Sequence, residues 1–107
     1  VRLDPAGHDR LVALVSHLPH AVAAGLVAVQ SDASIALAGP GFRDSTRIAA
    51  SDPVLWRDIF LDNTDAAVDS TDQLIDWLEV FRAALVSRNG AQIERLLRDA
   101  SDRRKTL

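Results

Sequence analysis

The chain has 107 residues, 48% of them apolar, with 12 basic and 15 acidic side chains and a net charge of −3. This length and apolar share exclude a disordered chain and predict a single helical domain over residues 1–107 with a small core, while the acidic balance excludes a nucleic-acid footprint. There is no cysteine, so packing must hold the fold without disulfides or thiolate–metal sites, as expected of a cytoplasmic protein. The chain lacks methionine, begins at Val1 and shows no signal-peptide pattern, which leads us to expect a piece of a longer protein.

Asp4-Pro5 is a helix start, with a carboxylate cap followed by proline where its missing N–H costs nothing. Apolar residues then run to Val29, and the nineteen positions from Leu11 carry no formal charge. That length brushes a membrane span. Ser16, His17, Pro19 and His20 would then lie near the bilayer centre, where polar groups are costly, so we expect a buried helix and no membrane. Pro19 falls in its interior and removes a donor from the carbonyl of Val15, predicting a kink beside the histidines. His17 and His20 are three apart and share one helix face. They either point at one ligand or are core histidines satisfied by backbone carbonyls. A metal site would need further ligands, such as His8 and Asp44, and lacks a glutamate between the pair, so no metal is expected.

A short helix is predicted over Ala33–Ala38, followed by "GPGFRDSTR", read as the one strong loop. In it Gly39 and Gly41 would let a ligand approach the backbone, and Arg47 would offer a planar fork to a carboxylate, with Asp44 three residues away to hold it. The plainer alternative is a solvated loop with a local ion pair and a helix cap at Ser45. "GPG" is not a dinucleotide fingerprint, because no strand precedes it and the third glycine is missing; no cofactor is expected on this chain. Asp52-Pro53 repeats the start signal, and Asn63 closes a helix of about ten residues. Trp56 and Phe60 on it read as core, although Trp56 could roof a site. Leu74, Leu78, Phe81 and Leu85 mark one face of a long helix from about Asp65 to Arg88, closed by Asn89-Gly90. Ile93, Leu96, Leu97 and Ala100 continue into a last helix whose basic end suits the helix dipole.

The expected fold is therefore an all-α bundle of about five helices. Its first helix is apolar nearly all round, so a second copy of the chain is expected to cover it in a homodimer, the alternative being a central position in a monomeric bundle.

Two long stretches, "HDRLVALVSHLPHAVAAGLV" and "GPGFRDSTRIAASDPVLWRDIFLDN", occur in this order over residues 8–63 and resemble the C-terminal helical domain of the prephenate dehydrogenase family. The later helices fit that family in pattern only, and Pro40 departs from the glycine of many members. The resemblance implies a 6-phosphogluconate dehydrogenase C-terminal-like dimerisation domain. It also implies an N-terminal Rossmann domain, absent here, that binds NAD or NADP and carries the family's catalytic histidine. Such enzymes convert prephenate to 4-hydroxyphenylpyruvate by oxidative decarboxylation in tyrosine biosynthesis. By the same resemblance this chain contributes the substrate side through His17, His20, Gly41, Asp44 and Arg47. His20 would bond the substrate's side-chain carboxylate or carbonyl, Arg47 another carboxylate, from its own chain or across the dimer, and Asp44 would hold the ionic network. The fragment alone is expected to be inactive. An arogenate dehydrogenase domain, or a free-standing module binding a carboxylate metabolite such as tyrosine, stands as the alternative.

Overall fold

The computed structural model describes residues 4–107, and every regular element among them is helical. Helix α1, Pro5–Val12, starts as its sequence dictates: the Asp4 carboxylate accepts the Gly7 N–H at 2.6 Å and Pro5 occupies the first turn. It runs without a break through a π-helical turn, Ala13–His17, into α2, Leu18–Ala28. The Leu18 N–H donates to the Ala13 carbonyl, five residues back. The irregularity expected from Pro19 thus takes the form of a wide turn placed just before the proline. The physical reason is that Pro19, with no N–H, falls in the opening turn of α2, where its donor is not needed.

Helix α3 is a single turn, Asp32–Ile35, shorter than the Ala33–Ala38 expected, and is fixed by a capping box between Ser31 and Ser34. The segment read as a loop is helical instead. Helix α4 covers Pro40–Thr46 and a 3-10 turn continues over Arg47–Ala50. Gly39, extended at φ −98° and ψ −174°, serves as the cap, and Pro40 starts the helix. The residues that looked like breakers are a third cap-plus-proline start, with glycine in the capping position. Ser45 lies inside α4 and caps nothing, while Thr46 is buried and donates to the Phe42 carbonyl at 2.7 Å. Helix α5, Pro53–Asp62, matches its expected bounds, with the Asp52 carboxylate accepting from Val54 at 2.9 Å.

Helix α6, Thr64–Val86, is the long one. The turn that closes it reaches Arg88, in the left-handed region at φ 53°, with the Asn89 N–H donating to the Ala84 carbonyl at 2.9 Å. The expected stop at Asn89-Gly90 is therefore displaced: Asn89 caps the next helix through Gln92 at 3.1 Å, and Gly90 opens α7, Gly90–Arg104. Taking Pro5–Ala28 as one rod gives six helices among the described residues; the expectation of about five omitted α4.

Contacts divide the chain into two compact units, one ending at Thr71 and one beginning at Asp72. In the first, α2 packs against α4 and the 3-10 turn, burying Ala13, His17, His20, Ala23 and Thr46. In the second, Ala84 is buried and Trp77 stacks on Phe81 with ring centroids 5.3 Å apart. Among the described residues the buried apolar side chains are all alanines, whereas Val15, Leu78 and Leu85 remain exposed.

Candidate functional site

The π turn and the first turn of α2 put His17 and His20 on the inward face of the rod, with relative exposures of 6% and 7%. Helix α5 supplies the opposing wall. Its start at Asp52-Pro53 fixes a register in which Trp56, Phe60 and Asn63, at i, i+4 and i+7, share one side. The His20 ring stacks on Trp56 with centroids 3.7 Å apart and planes 15° from parallel. His17 meets Trp56 and Phe60 edge-on, at 6.3 and 5.8 Å. Such contacts add to burial about 0.5–1.5 kcal/mol per aromatic pair. They also clamp both imidazoles in one orientation.

The polar atoms of the two rings fare differently. Asn63, between α5 and α6, donates from Nδ2 to the Asp9 carbonyl at 3.0 Å and lies 3.5 Å from His17 Nδ1. His20 Nδ1 is the one wholly buried side-chain nitrogen or oxygen among the described residues without a hydrogen-bond partner. The reading of both rings as core groups satisfied by backbone carbonyls finds no such carbonyl bond. An unsatisfied buried atom costs about 1–3 kcal/mol, so in a native fold this nitrogen either meets a water, an ion or a ligand or stands as stored strain.

Gly41, Asp44 and Arg47 lie elsewhere in this unit. Gly41 is inside α4 with no positive φ and no atom within 4 Å of where a Cβ would stand, so nothing there requires glycine. Asp44 and Arg47 are exposed and line, with Arg43 and Phe42, an open groove of about 720 Å³ that also touches Val27 and Ile35. Neither histidine lines it. The ion pairs among the described residues join Arg57 to Asp58 and Arg98 to Glu94, and His8 lies 3.9 Å from the Asp9 carboxylate. The Asp44–Arg47 pair is not formed, because the helix breaks between them: Thr46 sits at φ −114°, ψ 3°, and Arg47 starts the 3-10 turn. Arg47 takes part in none of the ion pairs among the described residues, and the turn carrying it packs on α2, the helix of His20.

His8 is exposed and faces Asp9 at 3.9 Å, away from the histidine pair, and no group of three metal-binding side chains converges among the described residues. The Gly39-Pro40-Gly41 stretch opens a helix with no strand before it, so the strand–turn–helix cradle of a dinucleotide pyrophosphate is not built by these residues. Sequence reasoning treated Trp56 mainly as core and Asn63 only as a helix end. The signal that links them to the histidines is their i, i+4, i+7 spacing with Phe60.

The family described as prephenate dehydrogenase, dimerization domain, matches residues 4–99, and the chain belongs to this family. The chain is 38% identical to prephenate dehydrogenase of Bacillus subtilis (strain 168), over all of this chain and 30% of that protein. It superposes on the Synechocystis arogenate dehydrogenase crystal structure with a TM-score of 0.85 and 31% identity, covering 98% of this chain and 41% of that one. Against Aquifex aeolicus prephenate dehydrogenase in complex with hydroxyphenyl propionate and NAD+, the TM-score is 0.84 and the identity 32%, covering 97% of this chain and 38% of that one. The chain thus spans between 30% and 41% of the length of these relatives.

Proposed function

We propose that this chain forms the dimerisation and substrate-cleft part of an NAD(P)-dependent prephenate dehydrogenase, acting in the oxidative decarboxylation of prephenate to 4-hydroxyphenylpyruvate. The observation that carries the reading is the clamped histidine pair, with the unpartnered His20 Nδ1, on an α5 wall in a chain of this family. Prephenate carries two carboxylates. A site for it needs donors and positive charge, which the imidazoles and Arg47 supply in a chain that is otherwise net acidic. The ligand named for the Aquifex relative, hydroxyphenyl propionate, is itself a carboxylate.

In this reading His17 and His20 hold one end of the substrate and Arg47, from this chain or from a second copy, holds a carboxylate, with Asp44 beside it. The dinucleotide supplies the hydride acceptor from a Rossmann domain elsewhere in the polypeptide; this chain's own residues bind and orient. Isolated, the chain is inactive. Arg47→Ala in the full-length enzyme is expected to lower kcat/KM by an amount equivalent to about 1.5–3 kcal/mol, the range for a hydrogen bond between charged groups. Unchanged KM and turnover would sink the assignment. The Synechocystis neighbour favours a second reading, arogenate as substrate, and the ratio of kcat/KM for prephenate and arogenate decides between them.

A further inference from the structure

The geometry points to Asn63 as a positioning residue that locks His17 in the tautomer protonated on Nε2, making that ring a hydrogen-bond donor toward an anionic ligand. A backbone carbonyl only accepts, so the Asn63 side-chain atom 3.0 Å from the Asp9 oxygen must be the amide nitrogen. This fixes which way round the carboxamide sits. The same nitrogen lies 3.5 Å from His17 Nδ1, a little beyond an ordinary N–H hydrogen bond and close enough for small side-chain adjustments to form one. Its second N–H needs a lone pair there, so Nδ1 of the neutral ring is the acceptor and the proton sits on Nε2. His17 Nε2 has no protein partner among the described residues and is not among the wholly buried atoms. The N–H it presents is therefore available to a ligand.

The backbone around Asn63 keeps the carboxamide in place. Its own N–H donates to the Phe60 carbonyl at 3.2 Å and its carbonyl accepts from Ala67 at 2.9 Å, so it closes α5 and opens α6 at once. Phe60, one turn before, contacts the same imidazole at a centroid distance of 5.8 Å. Ring orientation is thus set by aromatic packing and proton position by the amide. A ring locked in the other tautomer would present a lone pair at Nε2 and repel a carboxylate. The ligand part of this inference rests on the substrate reading above; the tautomer does not.

The test is nitrogen NMR of the full-length protein labelled with 15N only at histidine, recorded at a pH where the His17 spectrum shows a neutral ring, with His17→Gln to assign the signal. The expected pattern has a pyridine-type Nδ1 and a pyrrole-type Nε2 for His17, converting to a mixture in Asn63→Ala and to the Nδ1–H form in Asn63→Asp, whose carboxylate only accepts. A native ring protonated on Nδ1, or a pattern unmoved by both substitutions, overturns the proposal; the native spectrum suffices if a variant fails to fold. In kinetics, Asn63→Ala is expected to raise KM for prephenate about five- to tenfold with kcat within about twofold. A shifted tautomer with unaltered KM overturns the donor role of His17 in substrate binding and leaves the amide's hold on the ring standing, so the two failures are distinguishable.

Discussion

Arg88 holds a φ of 53°, a region where an L side chain crowds its own backbone and glycine does not. Its place in the helix stop is that of the residue most often occupied by glycine. Arg88→Gly is accordingly expected to stabilise the protein by about 0.5–1 kcal/mol, read as a rise of a few degrees in Tm; an unchanged or lower Tm would show that the Arg88 side chain makes up the strain. Trp56 presents the opposite case. It is half-buried, and its face covers His20 at 3.7 Å. Trp56→Ala is expected to destabilise the fold by about 1–3 kcal/mol, less than for a fully buried tryptophan. It should also weaken ligand binding, whereas Trp56→Phe retains most of the stability. Chemical denaturation and substrate titration of both variants check this. The His20 ring then loses its clamp while keeping its nitrogens, which separates orientation from chemistry.

Three elements begin with the same device, a capping residue followed by proline: Asp4-Pro5, Gly39-Pro40 and Asp52-Pro53. The device is legible in the two aspartate cases and reads as a loop in the glycine case, because glycine and proline together signal a turn as strongly as a helix start. The helix α5 start has a functional consequence, since it sets the register of Trp56, Phe60 and Asn63. Asp52→Ala removes the acceptor for the Val54 and Leu55 N–H groups and is expected to cost about 1 kcal/mol. Thermal unfolding measures that loss. An accompanying change in the His20 ring signals would show that the cap's effect reaches the site through α5. In the rod, the π turn and Pro19 act jointly: the wide turn ends one helix where the proline can begin the next, and the two histidines sit on either side of that joint.

The first rod, Pro5–Ala28, is long and apolar enough to cross a membrane by composition, with mean hydropathy 1.8 over its most apolar stretch, and only 22% of that stretch is buried within the chain. Its inward face carries the two histidines, and its other faces expose Leu11, Val15 and Leu26. Within the second unit Ile75, Leu78, Val80 and Leu85 are likewise exposed. Exposed apolar side chains in such number, on each unit taken by itself, suit association, in keeping with the dimerization domain of the family. A homodimer is the expected state, and Val15→Glu, placing a charge on a side chain 78% exposed in the single chain, should weaken it. Sedimentation equilibrium reads the outcome, and an unaltered dimer would remove this face of the rod from the interface.

Local rules settled most of the helical segments, the Pro40–Ala50 stretch excepted. Caps, prolines and the spacing of apolar residues act over one or two turns, so the all-α class, the Asp52–Asn63 bounds and the shared face of His17 and His20 were all readable from neighbouring letters. Tertiary structure decided the rest. That Trp56 stacks on His20, that Asn63 reaches Asp9 and His17 across more than forty positions, and that Asp44 and Arg47 part company at Thr46 depend on how α5 packs against the rod and on where the 3-10 turn begins. Those outcomes follow from the joint packing of remote side chains, which no local periodicity encodes.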